Sequence, residues 1–193
     1  MDIFEAIYSR RTIRKFRPVP VSRNILYKLI DCARLAPSAA NRQPIKYAVI
    51  DGEELNSAVF PLTKWAGYKP EAGPLSHERP PAYIAVLGDD SISRGTQEND
   101  AGLAMSAICL AATGEGLGSC ILGAIDRDRI SSLLNLPKNL HLLYLIAIGY
   151  PAQESMSAEM KDGDCKYYLE NGRVYVPKRP LEDIIINYQE KKS

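Results

Sequence analysis

Five cationic side chains crowd into eight residues near the start of the chain: Arg10, Arg11, Arg14, Lys15 and Arg17, with no acid among them. Like charges at this spacing repel one another unless solvated or set against an anion. Arg10 and Arg14 are four apart and face the same way in a helical or turn geometry. A planar guanidinium matches phosphate oxygens with two parallel hydrogen bonds. The hydroxyl of Thr12 adds a donor for a phosphate or a sugar oxygen. Taken alone, such a cluster reads more readily as a solvated basic face. A second cationic pair, Lys178 and Arg179, stands just before Pro180-Leu181-Glu182-Asp183-Ile184-Ile185, which reads as a last helix. A helix N-terminus there would make a second anion-binding candidate.

What is missing narrows the chemistry. There are two histidines, His77 and His141, and no G-x-S-x-G, Walker or H-E-x-x-H sequence. The four cysteines, at 32, 109, 120 and 165, have no C-x-x-C spacing, so no metal site is expected and reduced thiols are the plain reading. The run Gly114-x-Gly116-x-Gly118 invites a dinucleotide reading. That fingerprint follows a strand and opens a helix, whereas this run follows a helix and precedes a strand. Its role is then to end the helix and permit close backbone approach. Anion anchors without a nucleophile or an acid–base set suit borrowed chemistry, in which a cofactor brings the reactive atoms.

The elements that position these residues can be read in order. Residues 2–9 form a short helix, and 23–35 a second one capped by Ser22. Residues 37–44 are a loop between prolines. Strands are expected at 47–50, 82–87, 119–124 and 142–148. Helices are expected at 53–65, at 99–115, which should be central and buried for its apolar girth, and at 126–134. The stretch 67–81 is a long loop, and the segment after Pro151 is mixed. Strands and helices interleave without βαβ regularity, which predicts an α+β domain with a mixed sheet. At 193 residues, 46% hydrophobic and 24% charged, the chain suits one domain spanning 1–193. The net charge of +1 argues against nucleic acid as a partner. No apolar run is long enough for a membrane span, and the acidic start is unlike a signal peptide, so a cytoplasmic protein is expected.

Five motifs in order resemble the flavin-dependent nitroreductase family. They are Arg10-Arg11-Thr12-x-Arg14-x-Phe16, Pro37-Ser38-Ala39-Ala40-Asn41-Arg42-Gln43-Pro44, Asn99-Asp100-x-Gly102, Gly116-Leu117-Gly118-Ser119-Cys120-Ile121-Leu122-Gly123 and Val176-Pro177-Lys178-Arg179-Pro180-Leu181-Glu182. The resemblance implies a nitroreductase-like, mainly antiparallel sheet flanked by helices, with FMN at a homodimer interface. It implies that Arg10, Arg11, Thr12 and Arg14 hold the polar end of FMN, with Arg179 as a C-terminal phosphate ligand and Lys178 as its helper. Pro37, Ser38, Ala39 and Asn41 would reach the flavin from the partner chain, and the backbone of Leu122 and Gly123 would face the ring. Thr63 or Lys64 is the candidate for a further ring contact. Departures are Thr12 and Ala39, each where the family more often has serine.

The implied activity is hydride transfer from NADH or NADPH through flavin N5 to a small organic acceptor such as a nitroaromatic or quinone, in ping-pong fashion. Trp65 and Tyr68, ahead of the 67–81 loop, are candidates to shape the acceptor pocket, with ordinary packing as the even alternative. The small residues Ala101, Ala104, Ala107 and Ala111 would permit close helix–helix approach in a homodimer. Competing readings keep the fold but change the reaction, to reductive dehalogenation or flavin breakdown, or make the protein a non-enzymatic flavin-binding module.

Overall fold

A computed structural model of the chain describes residues 1–186. Its centre is a four-stranded antiparallel sheet in the order β1-β2-β4-β3, made from β1 (Ile45–Ile50), β2 (Ala82–Asp89), β3 (Gly118–Leu122) and β4 (Leu140–Gly149). Every residue of β2 is buried, as a central strand covered on both faces requires. Alternation sorts its side chains. Ala82, Ile84 and Val86 join α2 (Arg23–Arg34) and α4 (Gln97–Gly114) in one core. Tyr83, Ala85 and Leu87 face a second core with Val59 of α3 (Glu53–Val59), Ile130 of α5 (Arg127–Leu133), Ile13 and Phe16. The protomer is thus α+β, with helices on both faces of an antiparallel sheet. The four expected strands and the first two helices fall where the sequence pattern puts them, within a few residues at each end.

Three expectations change. The helix read at 53–65 stops at Val59, because Pro61 follows within one turn and has no N–H to continue the ladder, although Phe60 before it keeps helical angles. Phe60–Leu62 tightens into a 3-10 turn, and Thr63 leaves it extended to bridge Ile125. The last helix, read over 180–185, is only a 3-10 turn at Leu181–Asp183. Leu181, Ile184 and Ile185 are all exposed, and a short helix without a packed face is not stable in water. The mixed segment after Pro151 builds a second sheet, β5-β7-β6, from β5 (Ser155–Glu159), β6 (Tyr168–Glu170) and β7 (Arg173–Lys178). Here β5 and β7 run parallel and β6 antiparallel. Val174 of β7, and Tyr167 just before β6, pack against Ala66 and Ala72 of the long 63–81 connection.

Helix α4 is buried on one face only. Ala101, Ala104, Met105, Ile108 and Ala112 fill the core, while Glu98, Asn99, Gly102, Leu103 and Ser106 are exposed. Ala101 and Ala104 are therefore consumed by packing within the protomer, against α2 and the sheet, rather than left for a partner helix. Leu103 is among the apolar groups left open, as are Ile3, Phe4, Ile7 and Tyr8 on α1 (Ile3–Ser9).

Candidate functional site

The basic segment is laid on the free edge of β3. Thr12 bridges Ser119 in parallel, and the N–H of Ile13 donates to the Ser119 carbonyl at 2.9 Å. An otherwise open sheet edge is so covered. Two glycines make the approach possible. A Cβ on Gly118 would lie 2.7 Å from Cβ of Ile13, and one on Gly149 would lie 2.5 Å from Cδ of Pro81 and 2.9 Å from Cδ1 of Phe16. The glycine run thus ends α4 and admits another chain segment. Ile13 and Phe16 are buried, so the alternate residues Thr12 and Arg14 take other faces, and both are half-buried.

The electrostatics of this segment are uncompensated. Lys15 pairs with Glu78 at 3.2 Å and Arg17 donates to the Pro151 carbonyl. Among the described residues, Arg10, Arg11 and Arg14 have no carboxylate partner within ion-pair range. The Nε of Arg11 and the Nη1 of Arg14 are buried without a hydrogen-bond partner. Burial, and then the charge of Arg10, pull the Arg11 pKa below its ordinary value, so the folded protein disfavours that cation until an anion arrives. The thiols behind it offer no charge. Burial raises Cys109 and pushes Cys120 up to about 12, so both are protonated at neutral pH. Buried donors of this kind, left orphaned, are costly and fit a phosphate-bearing ligand.

Farther along β3, the chain leaves the sheet at Leu122 and exposes Gly123. A cavity of about 420 Å³ opens there, with Lys64, Gly123 and Ala124 among its walls. Lys64 is tied to this place by its N–H, which donates to the Ala124 carbonyl at 2.9 Å. Thr63 is buried and its hydroxyl is engaged twice, donating to the Phe60 carbonyl and accepting from Trp65 Nε1 at 2.7 Å. Of the two candidates, Lys64 lines the cavity together with Gly123, and its side chain makes no hydrogen bond among the described residues. Trp65 is half-buried and packs between the second core and the second sheet. Tyr68 is exposed and its ring lies 5.5 Å from that of Tyr167.

The Pro37–Pro44 loop sits elsewhere in the protomer. Ala40, Asn41 and Gln43 all have positive φ, near 50°, a concentration of backbone strain typical of functional loops. Asp100, buried in the first turn of α4, holds the loop by accepting from the N–H of Ala39 at 2.9 Å, while Ser38 Oγ accepts from Gln43 N. This anchoring role accounts for the Asp100 motif; the available signal was an acid in the first turn of an otherwise apolar helix, shared there with Glu98. Pro37 and Ser38 border a cavity of about 570 Å³ with Tyr27 and Tyr47. Ser119, beside the basic segment, neighbours Cys109, nine residues along α4 from Asp100, or about 14 Å of helix rise. No hydrogen bond joins loop and basic segment among the described residues. Asp100→Ala should lower stability by about 1 kcal/mol, the low end of the range for an orphaned donor because Ala39 is half-buried, and speed tryptic cleavage after exposed Arg42. Asp100→Asn, which keeps the acceptor, should do less; unchanged melting and cleavage in the Ala variant would remove the anchor.

Lys178 and Arg179 are both exposed. Lys178 ends β7 opposite Glu159, and no helix N-terminus follows them, since Leu181–Asp183 is a three-residue turn. The end of β7 is linked to Arg14 through the second sheet: the Arg14 guanidinium lies over the Tyr167 ring, whose neighbour Tyr168 pairs with Tyr175, and Arg179 is four residues farther on, roughly 13 Å of extended chain.

An antiparallel α+β protomer with a cation-rich segment on its edge strand and a glycine exit from that strand is the class that fold and site define. The chain belongs to the nitroreductase family, whose model matches residues 7–150. A solved structure of an FMN-dependent nitroreductase from Clostridium difficile superposes with a TM-score of 0.68 at 26% identity, covering 87% of this chain and 98% of that one. An NADH dehydrogenase from Thermus thermophilus is 27% identical over 80% of this chain and 89% of its own. A 5,6-dimethylbenzimidazole synthase from Rhodospirillum rubrum is 25% identical over 83% and 87%, respectively. Among the described residues no helix is long and apolar enough to cross a membrane.

Proposed function

We propose that the protein is an FMN-dependent oxidoreductase that takes reducing equivalents from NADH or NADPH and delivers them to a small organic acceptor, such as a nitroaromatic or a quinone. The observation that carries this reading is the set of arginines at 10, 11 and 14, without an acid and with buried, unpartnered nitrogens on two of them. Similarity to an FMN-dependent nitroreductase and to an NADH dehydrogenase supports the same conclusion.

In this reading Arg10, Arg11, Thr12 and Arg14 bind the phosphate and ribityl oxygens of FMN, with Arg179 and Lys178 closing on the phosphate from the end of β7. Leu122 and Gly123 offer backbone to the ring, which only a chain without a bulky side chain approaches closely, and Lys64 places a cation beside them. When bound, FMN supplies the hydride chemistry at N5, used in turn by donor and acceptor. The protein's own part is to orient the ring, exclude water from its buried edge and place fixed positive charge where negative charge accumulates on reduction.

Pro37, Ser38, Ala39 and Asn41 complete the site from the partner of a homodimer, since within one chain their loop is anchored away from the basic segment. The exposed apolar residues of α1 and Leu103 of α4 fit burial in that dimer. The test is an absorbance spectrum of the purified protein, taken with a solution mass. A flavin spectrum bleached anaerobically by NADH or NADPH and restored by a nitroaromatic or quinone is expected, at twice the 21.4 kDa chain mass. A preparation that stays colourless in excess FMN would end the cofactor reading, and a monomer would end the two-chain site.

A further inference from the structure

We infer that the segments leading into the second sheet form a clamp that fixes Arg14 for ligand binding, with Tyr167, just before β6, and Gln153, just before β5, as positioning residues. These segments hold Arg14 at both ends. At the backbone, Gln153 Oε1 accepts from Arg14 N at 3.1 Å and from Lys15 N at 2.8 Å, and the N–H of Ala152 donates to the Lys15 carbonyl at 2.9 Å. At the head, Arg14 Cζ lies 4.4 Å from the centroid of the Tyr167 ring, well inside the range of a cation–π contact. Tyr167 is itself fixed. It is buried, its ring packs with Val174 and Ala72, and its hydroxyl accepts from Tyr68 N at 3.3 Å.

The manner of holding matters. A guanidinium carries its five N–H donors in its plane and none on its face. The face of the Tyr167 ring offers no lone pair to an N–H, so Arg14 is held there by its charge without a conventional acceptor, and the buried Nη1 stays without a partner. Gln153 does the same with its amide: Oε1 is engaged twice, while Nε2 is buried and unpartnered. Both residues thus set geometry and leave donors in reserve for an acceptor oxygen on a ligand. A carboxylate in either place would have captured Arg14 instead.

The inference rests on the FMN reading above, and the test separates the two. FMN binding is titrated by flavin fluorescence, with melting of the cofactor-free protein measured alongside. Tyr167→Phe keeps the ring and should bind FMN within twofold of wild type. Tyr167→Leu should bind about tenfold more weakly. The same Leu change made on an Arg14→Ala background should cost less than twofold, because a positioning residue loses its effect once its target is gone, whereas a merely structural one keeps it. Should the Leu variant fail to fold, Gln153→Glu, which retains the acceptor for both N–H groups, carries the test with at least a tenfold loss. Wild-type uptake of FMN with unaltered binding by these variants, or an equal loss on both backgrounds, overturns the clamp alone. A wild-type protein that takes up no FMN overturns the cofactor reading and the clamp together.

Discussion

Arg14→Ala is expected to raise the dissociation constant for FMN about a hundredfold. Hydrogen bonds to charged groups contribute about 1.5–3 kcal/mol each, and every 1.4 kcal/mol is a factor of ten; the upper end applies here because Nη1 is already buried and desolvation is complete before the ligand arrives. The cofactor-free variant should be no less stable than wild type, since a cation without a carboxylate partner is removed from beside two others. Arg14→Lys should fall between, keeping charge but losing the planar fork and the stack on Tyr167. Fluorescence titration and thermal melting measure the two effects, which have opposite signs. Binding within threefold of wild type would take Arg14 out of the site.

Gly149→Ala is expected to cost about 3 kcal/mol or more. The new methyl would meet Cδ of Pro81 at 2.5 Å and Cδ1 of Phe16 at 2.9 Å. Neither is the loose end of a flexible side chain: one is a rigid ring at the start of β2, the other an aromatic that is 1% exposed. Overpacking a rigid contact costs typically 1–3 kcal/mol and sometimes more, and for a chain of this size each kcal/mol lowers the melting temperature by about 2–4 °C. A fall of about 6–12 °C is therefore expected. Gly114→Ala, which meets nothing within 4 Å, is the control and should melt at or slightly above wild type. Equal melting of the two variants would show that the contact is soft. Because Phe16 and Ile13 flank Arg14, Gly149→Ala should also weaken FMN uptake.

The central sheet was legible because its strands are apolar runs bounded by turn residues: Ala82–Leu87 and Leu142–Ile148 stand out in any reading. The second sheet was not. Ser155–Glu159 and Tyr168–Glu170 are half-exposed or exposed on nearly every residue, so hydrophobic pattern gives no strand signal. The signal that was available is local. Asn171-Gly172 joins β6 to β7, both residues have positive φ, and that dipeptide is the strongest short hairpin cue. The segment at 180–185 misled in the opposite sense, because its apolar spacing is helical while nothing packs on it. At the site, residue type and order gave the cluster at 10–14 and the exit at Leu122–Gly123. What sequence could not give is which member of a set is free to act. Thr63 and Lys64 were equivalent as letters, and only the buried hydrogen bonds of Thr63 separate them.

The seating of the basic segment has a consequence for biosynthesis. Arg14 is held by Gln153, 139 positions later in the chain, and its neighbours by Ser119 and Tyr150. At about 5–20 residues per second, a ribosome takes on the order of ten seconds to make the second half of that contact after the first. During that interval the arginines leave the exit tunnel with no native seat, attractive to any polyanion nearby, ribosomal RNA included. The anion-binding surface is therefore seated only once residue 153 has been made, 139 positions after the arginine that it holds.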